Sequence, residues 1–258
     1  MIARIPRHRP KSWAEQRPRT RSITVLLFSK LEWYLSWAAW ALGNWALLEV
    51  LESLSTFSVL VAVVFYFADS GNRVKQRHYQ AWQVINTAQG KGGSGGRIEA
   101  LQELNQDGVP LIGVDVSSAF LQGVNLRGAR LSRCAIESGD LRDSDLSRAD
   151  LTFGNLRSVN LRYAKLDGVQ LQDAELADAD LSSSSLRGAN MDRVDLSRAD
   201  LRYTDLNQIV WRNIASFKLA NVYGVRNPPD GFLAYALSHG AVSLVNDEDW
   251  EKLEQPAR

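Results

Sequence analysis

The amino-acid sequence predicts a β-solenoid in the C-terminal two-thirds of the chain, preceded by apolar helices in the N-terminal third. Apolar residues recur every five positions from Leu111 to Trp211 without a break. The stretches Trp33–Leu48 and Ser53–Ala68 contain no charged residue. A chain of 258 residues is long enough for one large domain or two modest ones, so the two patterns indicate two different regions.

The first 30 residues form a basic segment. They contain eight lysine and arginine residues against one acid, Glu15. We expect residues 1–30 to be a disordered arm. A basic cluster of this kind binds anionic lipid headgroups, with about 1 kcal/mol for each charge near the surface.

Residues 31–68 are predicted to form apolar, tryptophan-rich helical segments that associate with a membrane. A helix that crosses a bilayer needs about 20 apolar residues, and each uncharged run has 16, so each is slightly short. Indole rings favour the membrane interface. The spacing of Trp33, Trp37 and Trp40 places them on one helix face. The residues expected to contact lipid are Trp33, Trp37, Trp40, Trp45, Phe57, Val61 and Phe65.

Two membrane arrangements agree with this composition. One is an interfacial tryptophan-rich helix followed by a single short span, and the other is a tight hairpin through Glu49–Glu52. Basic residues flank the apolar region on both sides, so the positive-inside rule favours both ends in the cytosol and hence the hairpin. A third interpretation is a long soluble helix packed on the solenoid or in a coiled coil. Against it, Phe57–Ala68 is apolar on all sides.

Residues 69–108 are predicted to connect the apolar region to the solenoid. The sequence favours a helix up to Thr87, a flexible joint at Gly90–Gly96 and a second helix over Arg97–Leu104. The glycine run lacks the GxxxxGK(S/T) spacing of a phosphate-binding loop, and no strand precedes it. We therefore expect no nucleotide site here.

The five-residue period of residues 109–225 fits neither a helix, which repeats near 3.6 residues, nor a strand, which repeats at 2. It is typical of a chain that turns a corner every five residues and points one large and one small apolar side chain inward. Central positions run unbroken from Leu111 to Trp211, and the register resumes one residue late at Phe217 and Val222. The stacked coils then build the core together, as in all solenoids.

The units SRADL, RGANM and ADADL resemble the A(D/N)LXX pattern of the pentapeptide repeat proteins. This resemblance implies a right-handed quadrilateral β-helix over residues 109–225, with four pentapeptides in each coil. The basic arm, apolar segment and glycine joint ahead of the repeats are similar to those of membrane-anchored bacterial members. That similarity implies the inner (plasma) membrane, and the basic flanks favour the repeats in the cytoplasm by the positive-inside rule. The core should contain the central leucines Leu131, Leu151, Leu161, Leu171, Leu181 and Leu201.

The heptapeptide DLSRADL occurs twice, at Asp145–Leu151 and at Asp195–Leu201. The copies begin 50 residues apart, which is two and a half coils if each coil holds four pentapeptides. They would then lie on opposite faces of the solenoid. A duplicated site that faces two opposite directions is implausible, so we interpret the repetition as a consequence of the coil geometry.

Residues 226–258 are predicted to cap the solenoid, whose last coil would otherwise expose leucines and backbone edges. A short helix is expected with Asp230 as its N-cap and Gly240 at its C-terminal end. Ala241–Val245 could return as a strand, and an acidic turn would follow. The alternative is a dimer surface, so homo-oligomer formation stays open.

The residue types of the repeats indicate no catalytic or metal site. Residues 109–225 contain no histidine, and the single cysteine of the chain, Cys134, occupies a small inward position. We expect no cofactor, metal or catalytic residue. One face carries arginine and tyrosine at multiples of 20 residues, which indicates either a protein-binding face or cross-coil salt bridges. The candidate interaction residues are Arg142, Arg162, Tyr163, Arg202 and Tyr203.

The sequence favours a non-catalytic, membrane-tethered scaffold that binds an unidentified protein partner and membrane lipid. The first alternative is a DNA mimic that binds DNA gyrase, as some pentapeptide repeat proteins do. A mimic needs a strongly acidic surface, whereas Leu111–Val225 holds 14 basic and 15 acidic residues. That balance also gives no groove for nucleic acid. The second alternative is an accessory subunit or oligomer of a membrane pore or transporter, because Glu49 and Glu52 lie between apolar runs.

Overall fold

The computed structural model describes residues 8–18, 23–43, 46–68, 70–87 and 94–254. The chain divides into two compact units, Met1–Arg73 and Val74–Arg258. The described part of the first unit is helical, and the second unit contains the repeats.

The N-terminal unit contains the helices α1 (Trp13–Gln16), α2 (Ile23–Gly43) and α3 (Ala46–Ala68). Neither α2 nor α3 contains proline, and both are rich in leucine and alanine, which are strong helix formers. Glu49 and Glu52 lie inside α3. The hairpin turn proposed at these two residues is therefore wrong, because the helix continues through them.

A ladder of aromatic rings joins the basic arm to α2. The Trp33 indole N–H donates to the carbonyl of Lys11 over 2.9 Å. Lys11 and Trp13 are therefore ordered, unlike the disordered arm that the composition predicts, because the Lys11 carbonyl and the Trp13 ring both contact Trp33 of α2. The ring centroids are separated by 5.9 Å for Trp13 and Trp33, 6.2 Å for Trp33 and Trp37, and 5.6 Å for Trp37 and Trp40.

Many apolar side chains of α2 and α3 are exposed. The exposed fraction is 63% for Phe57 and 69% for Phe65, and Val61 is half-buried. Trp45, which was also expected to contact lipid, lies outside the described residues. The described face of α3 is therefore an apolar surface without a protein cover.

None of the described helices is long and apolar enough to span a bilayer alone. Two helical segments, Leu54–Tyr66 and Gly71–Thr87, have the length and apolar composition of a membrane span only when they are taken together. A bend of 46° separates them.

Two helices lead into the repeats: α4 (Ser70–Thr87) and α5 (Arg97–Gln106). Residues 88–93 of the connection between them lie outside the described residues. Leu101 and Leu104 of α5 are fully buried and belong to the same hydrophobic cluster as the repeat leucines. The connector therefore also closes the N-terminal end of the core, a role that the sequence did not reveal.

The repeats form a right-handed quadrilateral β-helix with 20 residues in a coil. Within its described residues, single parallel bridges rather than extended strands join positions 20 apart, such as Asp145 and Lys165. Between bridges the chain turns a corner: the Ser144 amide donates to the Leu141 carbonyl over 3.2 Å. Asp143, between them, has a φ of 59°. A positive φ at the third turn residue reverses the chain sharply, so one such turn in each pentapeptide makes the corners.

The core follows the alternation that the period predicted. The central residue and the small residue two positions earlier are both inward, and Leu151 and Ala149 are 0% exposed. Burial raises the pKa of the Cys134 thiol to about 12, so this cysteine is protonated at neutral pH and packs as an apolar group. The leucines proposed for the core are each at most 1% exposed: Leu131, Leu151, Leu161, Leu171, Leu181 and Leu201.

One inserted residue shifts the last coil. Asp195 pairs with Ser216, which is 21 residues away, whereas earlier bridges join residues 20 apart. The extra residue is Ala215, between the buried Ile214 and the bridging Ser216. Phe217 then resumes the core positions and is 2% exposed, as the register of the sequence indicated.

The C-terminal end is closed by α6 (Phe232–Ser238) and followed by α7 (Asp247–Glu254). Phe232 is fully buried. Its ring centroid lies 5.5 Å from that of Trp211 and 5.8 Å from that of Phe217, both in edge-on geometry. The aromatic rings at the central positions Trp211 and Phe217 therefore pack with Phe232 over the end of the leucine core.

The backbone of the cap differs partly from the expectation. Helix α6 begins after Gly231, which has a φ of 80°, and no side chain caps it, so the N-cap assigned to Asp230 is wrong. Gly240 has a φ of 95° and follows the helix, as a C-terminal glycine should. Val242 pairs with Asn221 through one parallel bridge, so the returning strand is reduced to a single contact.

Candidate functional site

The Asp or Asn before many of the central residues fixes the corner that follows. Asp180 Oδ1 accepts the backbone N–H of Ser182 over 2.9 Å, and Asp200 Oδ1 accepts that of Arg202 over 2.9 Å. Such Asx turns satisfy a backbone donor locally, which gives the A(D/N)L pattern a physical reason. The outward residue after the leucine consequently lies beside a carboxylate or an amide.

Two of the predicted arginines fold back onto these carboxylates. Arg142 donates to Asp140 through Nε at 2.8 Å and Nη2 at 2.6 Å. Arg202 donates to Asp200 through Nε at 2.9 Å and Nη2 at 2.6 Å. Hydrogen bonding from the Arg142 guanidinium holds the pKa of Asp140 below its ordinary value, and the same bond raises the pKa of Arg142. Both arginines are therefore ion-paired.

The third arginine pairs across coils. Arg162 follows Asn160, whose amide oxygen accepts the Arg162 backbone N–H over 3.2 Å but provides no carboxylate. Its Nε lies 3.6 Å from Asp180 Oδ2 in the next coil. All three guanidinium groups therefore contact a carboxylate, but of the three only Arg162 forms the expected salt bridge from one repeat coil to the next, because Arg142 and Arg202 pair with the aspartate of their own corner.

A groove of about 670 Å³ lies on this face of the β-helix, and helix α7 forms one of its walls. Arg162, Tyr163, Arg202 and Tyr203 all line it. The groove thus brings together four of the five residues predicted for the interaction face. Arg142 is outside the lining.

Two serines open the groove. Ser182 and Ser183 line its floor, at the positions where the coils on either side carry Arg and Tyr. The gap leaves Tyr163 and Tyr203 as walls, 55% and 47% exposed. They are two coils apart, which is about 10 Å at the usual spacing of paired strands. The run Ser182–Ser185 is the sequence signal that could have located this gap.

A further wall comes from α7 and was missed by sequence reasoning. The Trp250 indole N–H donates to the Leu219 carbonyl over 2.8 Å, and the Arg202 guanidinium lies 5.7 Å from the centre of the Trp250 ring. Arg202 Nη1 is 2.7 Å from Asp247 Oδ1. A tryptophan in the acidic run NDEDWEKL was visible in the sequence, but its position depends on how the cap folds back.

The groove carries a surplus of negative charge. Three arginines and five carboxylates line it, which gives a formal net charge of −2. The remaining arginine, Arg198, donates to Asp178 over 2.5 Å, so every arginine of the lining contacts a carboxylate. The Asp247 side chain is 67% exposed and Glu251 is also exposed, so the excess charge is accessible to a ligand.

The groove presents groups that can bind a ligand. Its lining contains no histidine or cysteine, and the Ser182 hydroxyl donates to Asp180 Oδ1 over 2.6 Å without the general base that activates a serine nucleophile. Within the described residues, no group of His, Cys, Asp and Glu is placed to hold a metal ion. The groove offers hydrogen-bond acceptors, aromatic faces and negative charge.

Comparison with known proteins identifies the repeats. The family model for pentapeptide repeats matches eight copies over residues 111–148, 140–176 and 174–210. No curated protein matches the chain.

Solved structures of repeat proteins are similar over part of the chain. Rfr23, a pentapeptide repeat protein from the cyanobacterium Cyanothece 51142, is 32% identical, with 40% of this chain and 64% of that chain covered and a TM-score of 0.30. A thylakoid-lumen pentapeptide repeat protein from Arabidopsis thaliana is 28% identical, with coverages of 37% and 63% and a TM-score of 0.28. QnrB1, a plasmid-mediated fluoroquinolone resistance protein, is 19% identical, with coverages of 52% and 68% and a TM-score of 0.31.

The chain thus spans less than two thirds of the length of the first two of these structures. The family model accounts for the five-residue period, the small and large inward positions and the Asx corners described above. Residues 111–210 therefore form a pentapeptide repeat domain.

Proposed function

We propose that the protein is a non-catalytic, membrane-tethered scaffold that binds a protein partner through the groove between the β-helix and α7. The groove itself carries this proposal: it is a concave site with tyrosine and tryptophan walls. Tyrosine, tryptophan and arginine are the residue types that dominate binding energy at protein interfaces.

The rigidity of the lining supports a binding role. Asp247 and the Val245 carbonyl both contact Nη1 of Arg202, and Asn221 exchanges two hydrogen bonds with Leu244, at 2.9 and 3.1 Å. These contacts hold the segment before α7 against the last coils. A site that is already ordered loses less conformational entropy when a partner binds.

The N-terminal unit supports the tether. Phe57 and Phe65 expose apolar rings on α3, and Arg9 lies 5.2 Å from the centre of the Trp37 ring. Tryptophan beside basic residues suits the boundary between headgroups and acyl chains. Basic flanks on both sides of the apolar region favour the inner (plasma) membrane, with the repeats in the cytoplasm.

The two alternative functions have less support. A DNA mimic that binds gyrase needs a continuous acidic surface, whereas several of the acidic residues here are paired with arginines, such as Asp173 with Arg193 at 2.6 Å. A pore or transport accessory was suggested by Glu49 and Glu52 between apolar runs. Both residues lie within the single helix α3, so they do not mark a separate functional loop.

Filling the groove with a large side chain tests the proposal while its aromatic and charged residues stay in place. Ser183→Tyr continues the tyrosine row of Tyr163 and Tyr203, so the fold should tolerate it. Ser118→Tyr is the matched control, since Ser118 is an exposed serine at the same turn position with a similar φ, 55° against 59°. Full-length variants would be crosslinked in native membranes and purified.

We expect a crosslinked partner with the unmodified chain and with Ser118→Tyr, and its loss with Ser183→Tyr. Equal capture by all three proteins, with both variants folded by circular dichroism, would show that the groove is not the binding site. Recovery of all three from the soluble fraction would contradict the tether.

A further inference from the structure

We infer that the partner segment is an extended, lysine- or arginine-bearing peptide whose cationic side chain enters the groove between Tyr163 and Tyr203. This inference rests on the proposed binding role of the groove and adds the chemistry of the ligand. It follows from three features of the lining: charge, aromatic faces and spacing.

The charge of the lining selects a cation. Each arginine of the groove already contacts a carboxylate, so the positive charge of the lining is compensated within the protein. Asp247 shares Arg202 with Asp200, so the excess negative charge lies toward the α7 wall, where the Asp247 side chain is 67% exposed and Glu251 is also exposed. A buried or half-enclosed surplus of one sign attracts ligands of the opposite sign and rejects those of the same sign.

The aromatic faces of the groove already hold cations from the protein itself. The Arg162 guanidinium lies 5.7 Å from the centre of the Tyr163 ring, and that of Arg202 lies 5.7 Å from Trp250. Cations bind over aromatic rings within about 6 Å of the centroid. Tyr163 and Tyr203 also remain about half exposed, which leaves ring surface for a second cation.

The dimensions suit an extended chain. The floor at Ser182 and Ser183 is one coil wide, and the tyrosine walls are about 10 Å apart by the coil spacing. An extended peptide advances about 3.4 Å per residue and points alternate side chains to the same side. A lysine with a small residue on each side would therefore place its ammonium group over Ser182 and Ser183, between the two tyrosines. The side chains of the two small residues would point away from the groove.

The test uses full-length protein in detergent micelles and a fluorescein-labelled decapeptide of alternating glycine and lysine. Two further probes have the same length: one with every lysine acetylated, and one with glutamate in place of lysine. We expect fluorescence anisotropy to report binding of the lysine peptide alone. Binding should weaken as salt rises from about 50 mM to about 500 mM, because screening shortens the reach of exposed charges.

A charge variant places the binding in the groove. Glu251→Gln should weaken the lysine peptide about two- to fivefold, the range expected for loss of one exposed charge interaction. Glu248→Gln makes the same change on the same helix, at a residue outside the lining, and should leave affinity within about twofold. Ser183→Tyr should abolish binding.

The outcomes separate the inference from the function on which it rests. Equal binding of the acetylated or glutamate peptide, or equal effects of the two glutamine variants, would overturn the cationic ligand. If Ser183→Tyr still prevented partner capture from membranes, the scaffold function would stand and only the ligand class would be wrong. If Ser183→Tyr changed neither measurement, both proposals would fail.

Discussion

The two copies of DLSRADL have the same sequence and the same interior. Leu151 and Leu201 are both 0% exposed. The Ser147 and Ser197 amides each donate to the aspartate two residues earlier over 2.9 Å. The two heptapeptides therefore have the same local structure, one side and one corner of a coil, although they lie on opposite faces of the β-helix.

Their outer surroundings differ. Arg198 of the second copy pairs with Asp178, which lies one coil earlier, and both residues line the groove. The first copy has Arg148 at the same place, but the residue one coil earlier is Gly128. The heptapeptide therefore determines the coil, while residues one coil away and the C-terminal cap determine whether a site forms on it.

The largest effect should come from the shared interior. Leu151→Asp and Leu201→Asp each place an unpaired charge among stacked leucines, at a cost of several kcal/mol. Since a domain is stable by only about 5–15 kcal/mol, both variants should lose the cooperative unfolding transition of the β-helix. Thermal melts followed by circular dichroism check this.

A folded Leu151→Asp or Leu201→Asp protein with an unchanged melting temperature would contradict the assigned core. Collapse of only one variant would show that the two copies are not equivalent inside. Leu→Ala at the same positions gives a graded control, with an expected loss of about 2–5 kcal/mol each.

The next effect concerns the N-terminal unit. Deletion of residues 1–70 should release the chain from membranes after a carbonate wash, because the apolar helices α2 and α3 are removed. The repeat unit begins at Val74 and carries its own N-terminal cap in α5, so the melting temperature of the β-helix should change by only a few degrees. A truncated chain that still sediments with membranes would refute the tether.

The interior of the β-helix was predictable because its period is a local property of the sequence. A large residue every five positions, with a small one two positions before it, leaves a single way to bury both. The ion pairing of Arg142 with Asp140 was also predictable, since they are two positions apart in the same corner. The frame slip before Phe217 was visible in the register alone.

The groove was not predictable from the same pattern. Its floor depends on the absence of large side chains at Ser182 and Ser183, and its wall depends on α7 folding back so that Trp250 reaches the Leu219 carbonyl. The contact with Leu219 joins residues 31 apart in the sequence. No repeat period encodes such a contact, so the sequence predicted Tyr163 and Tyr203 but not the wall formed by α7.

The most direct test compares Arg198→Ala with Arg148→Ala in lysine-peptide binding by the full-length protein. Arg198→Ala removes a positive charge from the groove and frees Asp178, so we expect the affinity to rise about two- to fivefold. Arg148→Ala, in the identical heptapeptide on the opposite face, should leave affinity unchanged. Equal changes in the two variants, or weaker binding by Arg198→Ala, would contradict the claim that outward neighbours, and not the repeat itself, create the site.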